Sequence, residues 1–78
     1  MLNYAIILSE MMINNTKDFG ALVRKKRKNM QLTQSDLAAV SGVGVRFISE
    51  LENGKETVQF DKALKVAQVL GLKLQLIN

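Results

Sequence analysis

The chain contains stretches in which apolar residues recur every three or four positions, separated by short breaks that contain glycine. This period is typical of helices that bury one face. Glycine readily adopts the left-handed conformation that ends a helix. We therefore predict four helices, at about residues 18–29, 33–42, 44–53 and 60–70.

The second and third predicted helices are separated by only two or three residues. The second begins at a capping box, Thr33-Gln34-Ser35-Asp36, in which Asp36 takes the place of the usual Glu or Gln. It ends at Gly42, and Asn53-Gly54 ends the third. Two short helices joined by a tight turn cross steeply, so the second projects from the surface. The pattern predicts a helix-turn-helix from Gln34 to Asn53.

Apolar residues at helical spacing supply the predicted core. The N-cap of the fourth helix is either Thr57 or Gln59, so its first residue is not determined by the sequence pattern. Phe47 either packs on the core, which we prefer, or lies against a DNA backbone. The remaining predicted core residues are Phe19, Leu22, Val23, Met30, Leu37, Ala38, Ile48, Leu51, Phe60, Ala63, Leu64, Ala67 and Leu70.

Both ends of the chain have a different pattern. After Gly71 leucines alternate with polar residues, which predicts a half-buried strand that needs a partner. Near the N-terminus, Tyr4 and the apolar run 6–8 are consistent with an apolar arm, a short helix or a poorly ordered extension. The predicted division is an N-terminal extension (1–16), a helix-turn-helix domain (17–71) and a dimerisation strand (72–78).

Composition narrows the function. The 78 residues contain 11 Lys and Arg against 7 Asp and Glu, a formal net charge of +4, which favours an anionic partner such as nucleic acid. The chain has no cysteine or histidine, and no glycine-rich phosphate loop or convergent carboxylate pair. We expect no enzyme activity, no metal and no cofactor. No apolar stretch approaches the 20 or so residues of a membrane span, and no secretory signal precedes Lys17, so we expect a cytoplasmic protein without membrane contact.

The motif Gln34-x-x-x-Ala38-x-x-x-Gly42, followed by Ile48 and Leu51, resembles the Xre-type repressor family, which shares the phage repressor fold. This resemblance covers residues 19–70. Within that family, the segment 42–55, the Leu70-Gly71-Leu72 ending and the terminal strand resemble HipB-type antitoxins. The resemblance implies an all-α fold of four to five helices, with a short C-terminal strand that pairs across a dimer.

The same resemblance implies roles for individual residues. The base-contacting positions are Val45, Arg46, Ser49 and Gln34. Arg46 is the strongest candidate, because its fork can donate two hydrogen bonds to guanine, and Val45 can contact a thymine methyl group.

The implied phosphate contacts are Thr33, Asn53 and Lys55. The resemblance also pairs Arg24 with Glu52 as a structural link between the first and third helices. The basic run 24–28 is expected to be mostly a solvated face, because consecutive residues point all round a helix.

The predicted function is that of an antitoxin and transcriptional autorepressor of a HipBA-like operon. It would bind an inverted-repeat DNA operator as a homodimer and also bind a kinase-like toxin. Two alternatives are a free-standing Xre-type repressor without a toxin and a protein-interaction module of the same fold. Salt separates the last of these, because DNA affinity falls steeply with salt and an apolar protein interface is much less affected.

Overall fold

The computed structural model of the chain describes residues 5–8 and 11–77. Its helices are α1 (Thr16–Asn29), α2 (Gln34–Ser41), α3 (Val45–Glu52) and α4 (Phe60–Val69). Its strands are β1 (Ala5–Leu8), β2 (Met11–Ile13) and β3 (Leu74–Ile77). Among these described residues the longest helix, α1, has 14 residues and cannot span a bilayer, which needs about 20.

Local signals set the helix ends. The side chain of Asn15 accepts from the backbone N–H of Asp18 at 2.8 Å, so α1 starts at Thr16, two residues earlier than the spacing predicted. The predicted capping box of α2 is confirmed, as is its end at Gly42, where φ is +70°. The N-cap position of α4 is Gln59, without a side-chain hydrogen bond.

The helices enclose one apolar core. Its largest fully buried side chains are Val23, Leu37, Ile48, Leu51 and Val66. The predictions included the first four and missed Val66. Around these the core also contains Ile13, Leu22, Ala38, Ala63, Ala67, Leu70 and Leu72, with Phe19, Phe47 and Val58 packed against it.

For two residues the prediction of a core position is wrong. Met30 is 47% exposed and Phe60 is 64% exposed. Met30 caps α1 where the chain turns away, and the next residue, Gln31, has a φ of +59°. Phe60 is the first residue of α4, and a helical side chain leans towards the preceding turn, which does not exist at a first position.

The three strands form an antiparallel sheet in the order β2–β1–β3. In the centre of the sheet, Ile6 lies opposite Ile13 on one side and Leu76 on the other. The C-terminal strand was expected to find its partner in a second chain, but β3 pairs with β1 of its own chain. The four predicted helices are confirmed, whereas the three-stranded sheet was not predicted, and the N-terminal extension, for which an arm, a short helix and a poorly ordered segment were left open, contains β1 and β2. Tyr4 and Asn78 lie outside the described residues.

Candidate nucleic-acid interface

Helix α3 is attached to the core by one side only. Ile48 and Leu51, three residues apart, are completely buried. Arg46 lies on the opposite, solvent-exposed side, Val45 is exposed at the start of the helix, and Ser49 is half-buried between them. A helix held in this way can enter the major groove, which is wide enough to admit it, without moving the core.

Helix α1 supports α3 from behind at very short range. A Cβ added to Gly20 would overlap the carbonyl oxygen of Leu51 and lie 2.8 Å from that of Glu52. Only a residue without a side chain allows the two backbones to approach so closely. No role was predicted for Gly20 from the sequence, although a glycine inside a helix otherwise costs about 1 kcal/mol relative to alanine.

A buried ionic network joins α1, α2 and α3. Arg27 Nε donates to Glu52 Oε2 at 2.6 Å, and Arg27 Nη2 donates to Glu52 Oε1 at 3.0 Å. Gln34 Nε2 donates to the same Oε1 at 3.1 Å, and Arg27 Nη1 donates to the carbonyl of Leu32 at 2.8 Å. The hydrogen bonds to Glu52 raise the pKa of the Arg27 guanidinium above its usual value. The network fixes the end of α3 relative to the start of α2.

The expected pairing of Arg24 with Glu52 is therefore wrong, because Arg27 is the partner. Arg27 follows the fully buried Val23 by four residues, about 40° round the helix, whereas Arg24 points about 100° away from Val23. Arg24 is exposed, together with Lys25 and Lys28. The expectation of a solvated basic face holds for those three residues and fails for Arg27.

The start of α2 uses its polar groups for capping. The backbone N–H of Thr33 donates to Asp36 Oδ2 at 2.9 Å, and the Thr33 hydroxyl accepts from the Asp36 N–H at 3.0 Å. The bond from the Thr33 amide, followed by the contact with its hydroxyl, lowers the pKa of the Asp36 carboxyl. The Thr33 amide is thus occupied by a carboxylate.

The exposed side of α3 carries a cluster of charges. Glu50 Oε2 lies 3.5 Å from Arg46 Nε and 3.2 Å from Lys55 Nζ. The Arg46 side chain is 90% exposed, and that of Glu50 is 33% exposed. Glu50 follows Arg46 by four residues, which is the spacing of a helical ion pair.

The predicted site residues fall into two groups in the structure. Val45, Arg46 and Ser49 share α3, Asn53 caps that helix, and Lys55 follows it. Gln34 and Thr33 belong to the start of α2, and Gln34 reaches α3 through Glu52. Their individual contacts with DNA stay predictions. The Phe47 side chain packs against the core, as preferred, and Lys62 Nζ lies 5.9 Å from its ring centroid.

Comparison with known proteins gives consistent results. Residues 23–77 match the helix-turn-helix family model, which is more than half of the chain. The chain is 49% identical over 65 residues to the uncharacterized HTH-type transcriptional regulator y4mF of Sinorhizobium fredii (strain NBRC 101917 / NGR234), covering 83% of this chain and 86% of that protein. It is 30% identical over 62 residues to the ImmF control region 10 kDa protein of Bacillus phage phi105, covering 80% of this chain and 69% of the phage protein.

The matched region contains both helices of the motif, the turn at Gly42 and the whole ionic network of Arg27, Gln34 and Glu52. The expected resemblance to Xre-type proteins is confirmed at the level of this family. The chain belongs to the Xre-like helix-turn-helix family.

Proposed function

We propose that this protein is a sequence-specific DNA-binding transcriptional repressor that reads the major groove with α3. The observation that carries the proposal is the construction of α3. Its inner side is fixed by buried residues and by the Arg27–Glu52 ion pair, whereas its outer side presents an arginine that is 90% exposed. A rigid helix with free donors on its outer face is what direct base readout requires.

Each exposed residue has a role in this proposal. Arg46 donates to guanine, Val45 contacts a thymine methyl group, and Ser49 bonds a base edge beside them. Gln34, held by Glu52 at 3.1 Å, reaches the bases from the start of α2.

Thr33, Asn53 and Lys55 contact phosphates on either side of the groove. Phosphate contacts fix the register of the protein on the duplex and carry no sequence information directly. The net charge of +4 adds to this electrostatic attraction.

A fluorescence-anisotropy titration tests the proposal, with the promoter DNA of the protein's own gene, a scrambled duplex and two salt concentrations. We expect the promoter to bind about 10³-fold more tightly than the scrambled duplex. The affinity should also fall steeply with salt, because counterions are released from phosphates. Weak, equal binding to both duplexes would instead support the protein-interaction module.

Replacing Arg46 with alanine should reduce the preference for promoter DNA by about 10-fold to 100-fold, because a bidentate contact with guanine is worth about 1–3 kcal/mol. The Arg46 side chain makes no buried contact, so the unfolding temperature should change little. Arg24→Ala is the matched control, since it removes the same charge from an exposed position on α1. Unchanged discrimination by Arg46→Ala, or an equal loss in the control, would contradict the assigned role.

The repressor acts as a homodimer on an inverted repeat, with two copies of α3 about 34 Å apart. Strand β3 supports this part of the proposal, because in the order β2–β1–β3 its outer edge faces no strand of the described chain. An edge strand is a template for pairing with another chain. A fourth strand on that edge would come from β3 of the second copy.

Truncation after Lys73 should therefore convert the dimer into a monomer. This endpoint removes β3 but retains Leu72, which is buried in the core at 4% exposure. Sedimentation equilibrium should give a mass near twice 8.7 kDa for the full chain and a single-chain mass for the truncated one. An undiminished dimer after truncation would exclude β3 as the main interface, and circular dichroism would verify that the helices remain.

The protein also acts as the antitoxin of a toxin–antitoxin pair in this proposal and binds a kinase-like toxin. The similarity of residues 42–55 to HipB-type antitoxins supports it. Co-expression with a kinase-like protein encoded next to this chain should relieve growth arrest, and the two proteins should co-purify. The second candidate is a free-standing repressor, which is favoured by the relative from phage phi105, since its name places it in the ImmF control region. A chain without such a neighbour, still repressing its promoter, would support that second candidate.

A further inference from the structure

The carboxylate of Glu50 occupies an unexpected place for a surface that approaches DNA. It lies on the recognition helix beside Arg46, the residue proposed to contact guanine. An acidic side chain there is repelled by the phosphates of any duplex. A hydrogen-bond donor on the DNA that reaches the carboxylate offsets that cost.

The ion pairs of Glu50 contribute little to folding, because exposed pairs are weakened by solvent and by side-chain entropy. Their geometry matters more for binding. Both cations approach the same carboxylate oxygen, Oε2, with Arg46 Nε at 3.5 Å and Lys55 Nζ at 3.2 Å. The second oxygen, Oε1, can therefore accept a hydrogen bond from a base. Arg46 has five N–H donors, so its terminal nitrogens can donate while Nε faces Glu50.

We propose that Arg46 and Glu50 act as one unit that reads a single G·C base pair, an inference that rests on the proposed repressor function. Arg46 donates to N7 and O6 of the guanine, and Glu50 accepts from the N4 amino group of the cytosine in the same pair. Guanine O6 and cytosine N4 are hydrogen-bonded to each other, so they lie about 3 Å apart. The contact of 3.5 Å between Arg46 Nε and Glu50 Oε2 holds the two side chains side by side, so the terminal nitrogens of Arg46 and Oε1 of Glu50 can face neighbouring atoms of one base pair.

The pair rejects the other base pairs through Glu50. In an A·T pair in the same orientation, thymine O4 replaces the cytosine amino group, so two acceptors face each other. Adenine N6 also replaces guanine O6 and places a donor against the Arg46 donors. In a C·G pair of reversed orientation the two bases exchange places, so the amino donor of cytosine faces Arg46 and the acceptors of guanine face Glu50. Glu50 is thus a specificity-determining residue that lowers affinity for every sequence lacking the correct pair.

The test starts from the DNA site that the wild-type chain selects from random duplexes. The selected cytosine opposite the guanine assigned to Arg46 is then replaced by N4-methylcytosine, which still pairs but places a methyl group where the free N4 hydrogen points into the major groove. We expect the wild type to lose about tenfold in affinity, the size of one base contact. Glu50→Ala should lose almost none on this replacement and should bind scrambled DNA more tightly than the wild type.

Glu56→Ala is the matched control, since Glu56 is an exposed acid outside α3 and the change removes the same charge. This control should keep the wild-type sensitivity to N4-methylcytosine. A Glu50→Ala chain that is as sensitive as the wild type, or a selected site without a G·C pair at this position, overturns the inference and leaves the repressor function intact. A wild type that selects no sequence at all overturns both.

Discussion

Replacing Glu52 with alanine should lower the free energy of unfolding by about 3–5 kcal/mol, the cost of leaving one member of a buried ion pair without its partner. The Glu52 side chain is 3% exposed and that of Arg27 is 9% exposed. The substitution removes three hydrogen bonds at once, two from Arg27 and one from Gln34. For a domain of 78 residues the total stability is about 4–12 kcal/mol, so the loss is a large part of it.

Urea denaturation followed by circular dichroism measures this change. Glu56→Ala removes an equal charge from an exposed position and should change the stability by less than about 0.5 kcal/mol. The combined change Arg27→Met with Glu52→Leu should recover most of the stability, because no buried charge is then left unpaired. If Glu52→Ala unfolds at the same urea concentration as Glu56→Ala, the pair is not buried as the structure has it.

Local signals in the sequence were sufficient for the helices that carry the site. The capping box at Thr33 and Asp36 and the left-handed turn at Gly42 depend on a few neighbouring residues, so they could be predicted without knowledge of the fold. The apolar spacing of Ile48 and Leu51 also settled which side of α3 faces outward. These features explain why the face of the proposed reading helix was placed correctly.

Features that depend on distant parts of the chain were not predictable in the same way. The pairing of β1 with β3 joins residues near opposite ends of the chain, and nothing local indicates a partner so far away. Phe60 has the apolar character of a core residue, but its exposure depends on where α4 meets the other helices.

The sequence contains a signal that distinguishes Arg27 from Arg24 as the partner of Glu52. The resemblance to the family indicated an arginine on the first helix, and five consecutive residues of that helix are basic. Only the angle to Val23 distinguishes the two arginines, because a position four residues after a buried one faces the core. Counting from the buried stripe would have selected Arg27, which donates to Glu52 at 2.6 Å.

Replacing Gly20 with alanine should lower the free energy of unfolding by about 2–3 kcal/mol, towards the upper end for overpacking. Helix propensity alone predicts the opposite sign, a gain of about 1 kcal/mol, because glycine is unfavourable within a helix. The new methyl group would overlap the carbonyl oxygen of Leu51, and neither group can rotate away because both belong to the backbone framework. The sign of the measured change therefore decides whether α1 and α3 are in contact at this point.

Gly44→Ala is the matched control, since an added Cβ there has no heavy atom within 4 Å and its φ of −77° suits any residue. It should change the stability by less than about 1 kcal/mol. A stabilised Gly20→Ala chain would contradict the close packing of the two backbones. A destabilised but folded Gly20→Ala chain should also discriminate poorly between promoter and scrambled DNA. Helix α1 can accept the methyl group only by moving away from α3. That movement disturbs the Arg27–Glu52 ion pair, which fixes the reading helix.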